Sequence, residues 1–352
     1  MELDGQQLRA LAAIADAGSL DGAAVALSLT PSAVSQRLRA LERAAGQVLV
    51  VRSRPIALTA AGEVLLRLAT QVALLEEEAL RELAGDRATA SRTPLAVAVN
   101  ADSLATWFLP AVAPLAETLE LRVHREDEGR TSELLRRGVV MAAVTGDDEP
   151  VAGCETTALG VMRYVPVAAP SFAARWFPPA AALADAPSPG APAAASPADA
   201  SPAAASPAAA SPAAASPAAA SPAAAALAAA SPAAAALADA FRRAPVVSFD
   251  AADRLQERFL RMQTGADPRP PTHLVPASAD YLRAIELGFG WGLVPEGQLA
   301  ARERDDGLVT IAAERLDVPL RWQRWSLRTA SLTALTDAVL AAARTALRQP
   351  AG

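Results

Sequence analysis

Through residues 1 to 58 the apolar positions recur at helical spacing, in short runs each closed by a stop signal. "QQLRALAAIADAG" places Leu8, Leu11, Ile14 and Ala15 on one face and stops at Gly18. Ser19 is positioned to cap a second short helix, "LDGAAVALS", with Ala23, Ala24 and Leu27 facing inward. "SLT" makes the turn; Thr30 then caps a third helix, and Pro31 takes its first position, where a missing N–H costs nothing. At about 100° per residue, Val34, Leu38, Leu41 and Ala45 form an apolar side of this helix. Ser32, Ser35, Gln36, Arg39 and Arg43 form a polar stripe opposite. "VLVVRSRPIAL" follows as two apolar stubs around an Arg-Ser-Arg-Pro tip, which predicts a hairpin wing.

From Thr59 to about Leu83 a long helix is expected, with Leu65, Leu68, Val72, Leu75 and Ala79 stepping by three and four. That seam predicts self-association; packing on its own domain is the alternative. "DRATASRTP" breaks the pattern, so a hinge is placed at 86–93. Apolar strands then alternate with helices ("PLAVAVN", "LELRVHRED", "SELLRRG", "VMAAVTG"), which implies an α/β layer with mainly parallel strands. From 178 to 239 the chain becomes an Ala/Ser/Pro-rich repeat, with Ser-Pro at regular spacing. Proline at that interval interrupts the helix alanine would favour, so a disordered insertion is expected: either a partner-binding segment or an expansion in a tolerant loop. "GFGWG" at 288 to 292 lacks a nucleotide-loop fingerprint and reads as a helix-to-strand turn.

The polar stripe of the third helix suits a DNA major groove. Gln and Arg can pair bidentately with base edges, Ser can reach bases or phosphate, and the helix N-terminus offers N–H groups to phosphate. The order helix, capped helix, turn, helix, wing is a winged helix-turn-helix. Arg37, Arg39, Arg43, Arg52 and Arg54 fall in its reading elements, and only Glu42 intrudes. The net charge of −6 argues against indiscriminate coating of nucleic acid but leaves room for this local surface. All 32 basic residues are arginine. Cys154 is the single cysteine, so no intrachain disulfide forms, which fits a reducing cytoplasm. The start of the chain is acidic and polar, not a signal peptide, and the alanine-rich run is too interrupted to span a membrane. His124 and His273 stand alone in sequence, so no metal is expected, nor any cofactor; with no nucleophile elbow, an enzyme is not expected either.

"GSLDGAAVALSLTPSAVSQRLRALERAAGQVLVVRSRPIALTAAGEVLL" resembles the amino-terminal domain of LysR-type transcriptional regulators. The resemblance rests on Ala23-Ala24, Leu27, Thr30, Ser32-Ala33-Val34-Ser35, Leu38, Leu41-Glu42, Leu49, Arg52 and Thr59-Ala60-Ala61-Gly62. Leu20 departs from it, since the family usually has an aromatic there. "VAVNADSLATWFLPAVAPL", "EDEGRTSELLRRGVVMAAVTG" and "APVVSFD" are similar to the LysG/ArgP-type branch, regulators of basic amino-acid export and metabolism. The resemblance implies a winged helix-turn-helix (1–58), a linker and dimerisation helix (59–85) and a hinge. Beyond these it implies an effector domain like a periplasmic binding protein, with lobe I at 94–163 and 309–352 and lobe II at 164–308. It also implies a homodimer or homotetramer, an operator in double-stranded DNA, RNA polymerase as a further partner, and activation of an exporter gene in response to L-lysine or L-arginine. An unrelated metabolite, or a bilobal amino-acid-binding enzyme, are the alternatives.

An amino acid would need an anion site and cation sites. Asp102 and Ser103 follow a strand at a helix N-terminus, where Ser103 and Thr106 with free N–H groups suit an α-carboxylate. Glu126, Asp127, Glu128, Asp147 and Asp148 cluster after strand ends and suit a guanidinium or ammonium. For any one of them a solvated loop charge is the commoner reading; Asp102 could cap its helix, and Arg130 could pair with Glu126 or Asp127.

Overall fold

The computed structural model describes residues 3–51, 53–84, 92–126, 128–178, 232–300 and 307–349. Arg52, Asp127, nearly all of the expected hinge and the repeat up to residue 231 lie outside them. The chain forms two compact units: Met1–Arg163 with Pro295–Ala301 and Asp317–Gly352, and Tyr164–Val294 with Arg302–Leu316.

The first unit opens with α1 (Gly5–Ala17), α2 (Leu20–Ala26) and α3 (Pro31–Ala45). Each start is capped by a side chain: Asp4 accepts from Gln6 and Gln7, Ser19 from Gly22, and Thr30 from Ala33. Leu11, Ile14, Ala23, Val34, Leu41 and Leu49 are fully buried where the three helices meet. The wing is β1 (Val50–Val51) paired antiparallel with β2 (Ala57–Leu58). It sits hard against α4 (Ala60–Ala84): a Cβ on Gly62 would come within 2.1 Å of the Leu49 carbonyl oxygen. Only glycine permits that approach.

The helix α4 departs from the expected seam. Leu65 and Leu68 pack against the helix-turn-helix core, together with buried Ala69. The outer half of the seam stays open, with Leu75 45% exposed and Ala79 exposed as well. The reason is that α1 packs along α4, and Arg9 of α1 pairs with Glu76. Own-domain packing therefore accounts for the inner half of the seam.

After α4 the first unit continues as an α/β layer. β3 (Thr93–Val99) lies between β4 (Leu119–Arg125) and β5 (Ala142–Thr145), parallel to both. β11 (Leu316–Trp325) joins β5 antiparallel, and β6 (Cys154–Ala168) follows it in the sheet order. The β3-to-β4 crossover is one helical run: α5 (Ala101–Ser103), a π segment (Leu104–Phe108), α6 (Leu109–Val112) and a 3-10 turn (Ala113–Glu117). Pro110 and Pro114 explain its changes of pitch, since neither has an N–H to continue an α-helical ladder. α7 (Glu128–Arg136) connects β4 to β5, and the sheet ends in a long C-terminal helix (Ala330–Ala346) capped by Thr329.

In the second unit Phe177, Phe241, Phe259 and Trp291 form an aromatic cluster with ring centroids 4.9 to 5.7 Å apart. Two expectations are corrected here. The insertion was expected to stay disordered to Asp239, but Pro232–Arg243 is helix, with Leu237 and Phe241 buried. No proline follows Pro232 until Pro245, so alanine's helix propensity is unopposed, and Leu237 and Phe241 supply the packing. Residues 309–316 were expected in the first lobe. Instead Val309 and Thr310 pair antiparallel with Ala168 and Val167 of β6, which keeps them in the second unit. Gly288–Gly292 forms a helix-to-strand turn, as its sequence suggested: Phe289 N–H bonds back to Ala284 before β9 (Gly292–Pro295) begins.

Candidate nucleic-acid interface and effector crevice

The reading helix is built by its own back. Val34, Leu38 and Leu41 are buried, which fixes the rotation of α3 and turns Ser32, Gln36, Arg39 and Arg43 fully outward. Ser35 is half-buried between the two faces. Arg37 is tied down, donating to Gln6 Oε1 of α1 at 2.8 Å. Glu42 does not intrude on the stripe: its carboxylate accepts the Leu49 N–H at 3.1 Å and anchors the entry to the wing. Arg54 stands exposed at the wing tip, where Ser53 Oγ bonds the Pro55 carbonyl at 2.6 Å. The result is a rigid polar face of hydroxyl, amide and guanidinium groups with no internal competitor from Glu42.

A second candidate site lies at the carboxyl ends of β3, β4 and β5, the edge where parallel α/β sheets bind ligands. Asp102 and Ser103 leave β3, Glu126 leaves β4 and Asp147 leaves β5, so the strand order brings these four to one edge. Glu128 begins α7 at the same edge. Ser103 is fully buried, and its hydroxyl has no hydrogen-bond partner among the described residues. A buried hydroxyl without a partner is disfavoured by about 1–3 kcal/mol, so it marks a place where a ligand group would be welcome. Asp147 is half-buried, with its N–H held by Thr145 Oγ1 at 3.0 Å. Asp148 is instead paired with Arg321 and is a structural charge.

Thr106 stands apart from this set. Its hydroxyl donates to the Asp102 carbonyl at 2.6 Å, and it faces a cavity of about 260 Å³ with Trp107, Arg163, Glu296 and Arg348. Ion pairs fill that cavity's polar wall. Arg348 donates to Glu296, and Arg163 grips Asp317 through two bonds of 2.7 Å. The Arg163 hydrogen bond and charge hold the Asp317 carboxyl below the usual carboxylate range, against an opposing desolvation penalty.

The edge also carries buried hydroxyls that sequence reasoning missed. Thr131 and Ser132 on α7 are buried, and Ser132 Oγ lies 3.3 Å from Thr145 Oγ1. The pattern "RTSELLRRG" placed them on a helix but gave no sign of which side met the sheet.

Residues 6–63 match the family described as bacterial regulatory helix-turn-helix protein, lysR family. The HTH-type transcriptional regulator LysG of Mycobacterium tuberculosis is 39% identical over 342 residues, covering 97% of this chain and 94% of that protein. The chain belongs to the LysR family. Within this family, the lysine export transcriptional regulatory protein LysG of Corynebacterium efficiens is also 39% identical, covering 97% of this chain and 98% of its own. The LysR fold extends along the whole chain. The crystal structure of ArgP from Mycobacterium tuberculosis superposes with a TM-score of 0.74 at 38% identity, covering 99% of this chain and 100% of that one. Full-length LysG from Corynebacterium glutamicum with bound effector Arg gives 0.66 at 34% identity, covering 98% and 99%. This chain is thus a LysR-family transcriptional regulator with an effector domain, and not an enzyme.

Proposed function

We propose that this regulator reads an operator through Ser32, Ser35, Gln36, Arg39 and Arg43, steadies itself on phosphate through Arg37, Arg52 and Arg54, and senses L-arginine or L-lysine. One observation carries the DNA reading: the polar stripe of α3 is outward and its apolar back is buried. The effector reading is supported by the buried Ser103 hydroxyl, without a partner among the described residues, at the same strand edge as Glu126 and Asp147, which offers a place for a carboxylate and places for a cation on one edge. It is supported too by the kinship with a LysG structure that holds Arg. Asp102, Thr106, Asp127 and Glu128 complete the proposed effector set, with Thr106 in a supporting place behind Asp102. The exposed outer half of α4 pairs subunits into a homodimer or homotetramer.

The regulator works in the cytoplasm, activates an exporter gene and meets RNA polymerase there; among the described residues no helix is long and apolar enough to cross a membrane. The effector acts by population shift, binding one arrangement of the protein more tightly than the other. Equilibrium binding of an operator fragment with and without L-lysine, L-arginine and L-histidine tests this. A change of operator affinity or bend with lysine or arginine supports the reading, and indifference to all three overturns its effector half.

A further inference from the structure

The helix α4 carries a second stripe that the apolar seam does not contain. Glu63, Arg67, Thr70, Leu74 and Glu78 follow one another by three and four, so they share one face. By rotation that face lies opposite Leu65 and Leu68, which pack on the helix-turn-helix core. Its groups are engaged by the α/β layer of the same unit. Arg137 Nε donates to Glu63 at 2.8 Å. The Thr70 hydroxyl, bonded mainly to Leu66, also approaches the Gly138 carbonyl at 3.4 Å. The Glu78 carboxylate accepts the N–H groups of Ala330 and Ser331 at 3.1 and 2.9 Å, at the start of the C-terminal helix. At Gly138, with φ of 74°, a Cβ would come within 2.6 Å of Arg67 Cα. Backbone thus touches backbone, and no other residue fits that place without moving one of the two.

Arg137 and Gly138 are the residues that follow α7. The other end of α7 begins at the proposed effector edge, where Thr131 and Ser132 are buried and Ser132 lies beside Thr145. A helix of nine residues is a stiff element about 13 Å long. We propose that α7 is the strut by which the effector crevice acts on DNA: its first turns register the ligand, and the Arg137–Gly138 seat passes the movement to α4, whose opposite face carries the reading domain. This deepens the effector reading above and rests on it. Glu63, Arg67 and Arg137 are positioning residues that touch neither ligand nor DNA.

The single cysteine supplies a native probe. Cys154 is half-buried, and burial pushes its thiol up to about 11, an effect the Arg67 guanidinium opposes. Opening of the seat moves Arg67 away from the thiol and so changes the alkylation rate of Cys154.

The test compares full-length wild type with Glu63→Gln, Gly138→Ala and the charge-swapped pair Glu63→Arg with Arg137→Glu. Three quantities are read: operator affinity and footprint, L-arginine affinity by calorimetry, and the alkylation rate of Cys154. Expected are L-arginine affinities within about threefold of wild type in the absence of DNA, a changed footprint of the free protein, a changed alkylation rate, and loss of the arginine-induced change in operator binding in the first two variants. By linkage, the operator's effect on arginine affinity disappears with it. The swapped pair restores the response, which a merely structural role would not predict. If Gly138→Ala does not fold, Glu63→Gln and the swap decide alone. A wild-type footprint, alkylation rate and arginine response in the variants overturns the proposal while leaving the effector reading intact. If wild type itself ignores L-arginine, the effector reading fails and the free proteins decide the rest: an altered footprint and alkylation rate keep the mechanical link from α7 through the seat to the reading domain, and unaltered ones overturn it.

Discussion

The reading helix and the effector crevice treat polar groups in opposite ways. On α3 Ser32, Gln36, Arg39 and Arg43 are outward and exposed, while the apolar back of the helix carries the packing. At the proposed effector edge the hydroxyls of Ser103, Thr131, Ser132 and Thr145 are inside, and Ser103 has no partner among the described residues. A DNA reader can present donors on a surface, because its ligand brings charge and many contacts. A receptor for a small molecule must hold its polar groups out of water, and the free protein bears that expense in stability. Substitutions on the two surfaces should therefore separate binding from stability in opposite senses.

The largest effect is expected from the scaffold beneath the reading face. Leu41→Ala removes a fully buried side chain, so the helix-turn-helix should lose about 2–5 kcal/mol, with operator binding lost and effector binding retained. Thermal melting followed alongside calorimetry checks this. Next, Arg39→Ala should leave the melting temperature unchanged and weaken specific binding by about 1–3 kcal/mol. Arg54→Ala should instead weaken binding to all sequences and flatten its salt dependence, as measured by titrating operator and random duplex across salt concentrations.

Ser103→Ala inverts the pattern. It should leave the free protein's melting temperature equal or higher, because an unsatisfied buried hydroxyl is removed, while L-arginine affinity falls by about 1.5–3 kcal/mol. A drop in melting temperature with unchanged arginine affinity would place Ser103 in the core and not in the site. The smallest effect belongs to Asp317→Asn. The Asp317 carboxyl titrates below its unfolded value, so its contribution is present above about pH 4 and fades as pH falls through the folded value. Because the pair is partly exposed, the variant should lose less than about 1 kcal/mol at neutral pH, and the difference should close in acid.

The same contrast explains what the sequence made legible. The helix-turn-helix is written in local signals: Ser19, Thr30, Pro31 and Gly18 mark ends, and the spacing of Val34, Leu38 and Leu41 fixes which side is out. The crevice depends on strand order, which brings Ser103, Glu126 and Asp147 together from separate segments, so only their positions after strands could be read. Asp148 and Thr106 looked equivalent to their neighbours until Arg321 and the Asp102 carbonyl were seen to engage them. On α4 the apolar seam was visible and the polar stripe from Glu63 to Glu78 was not, because charges on a long helix ordinarily face solvent. The helix Pro232–Arg243 was hidden by the alanine-rich composition it shares with the preceding repeat.

The most direct test of the DNA reading is the ratio of dissociation constants for the operator and a scrambled duplex, measured at one salt concentration for wild type and Arg39→Ala. Wild type is expected to discriminate strongly, and the variant to lose about 5- to 150-fold of that discrimination with an unchanged melting temperature. An unchanged ratio would mean that the outward face of α3 is not what reads the sequence.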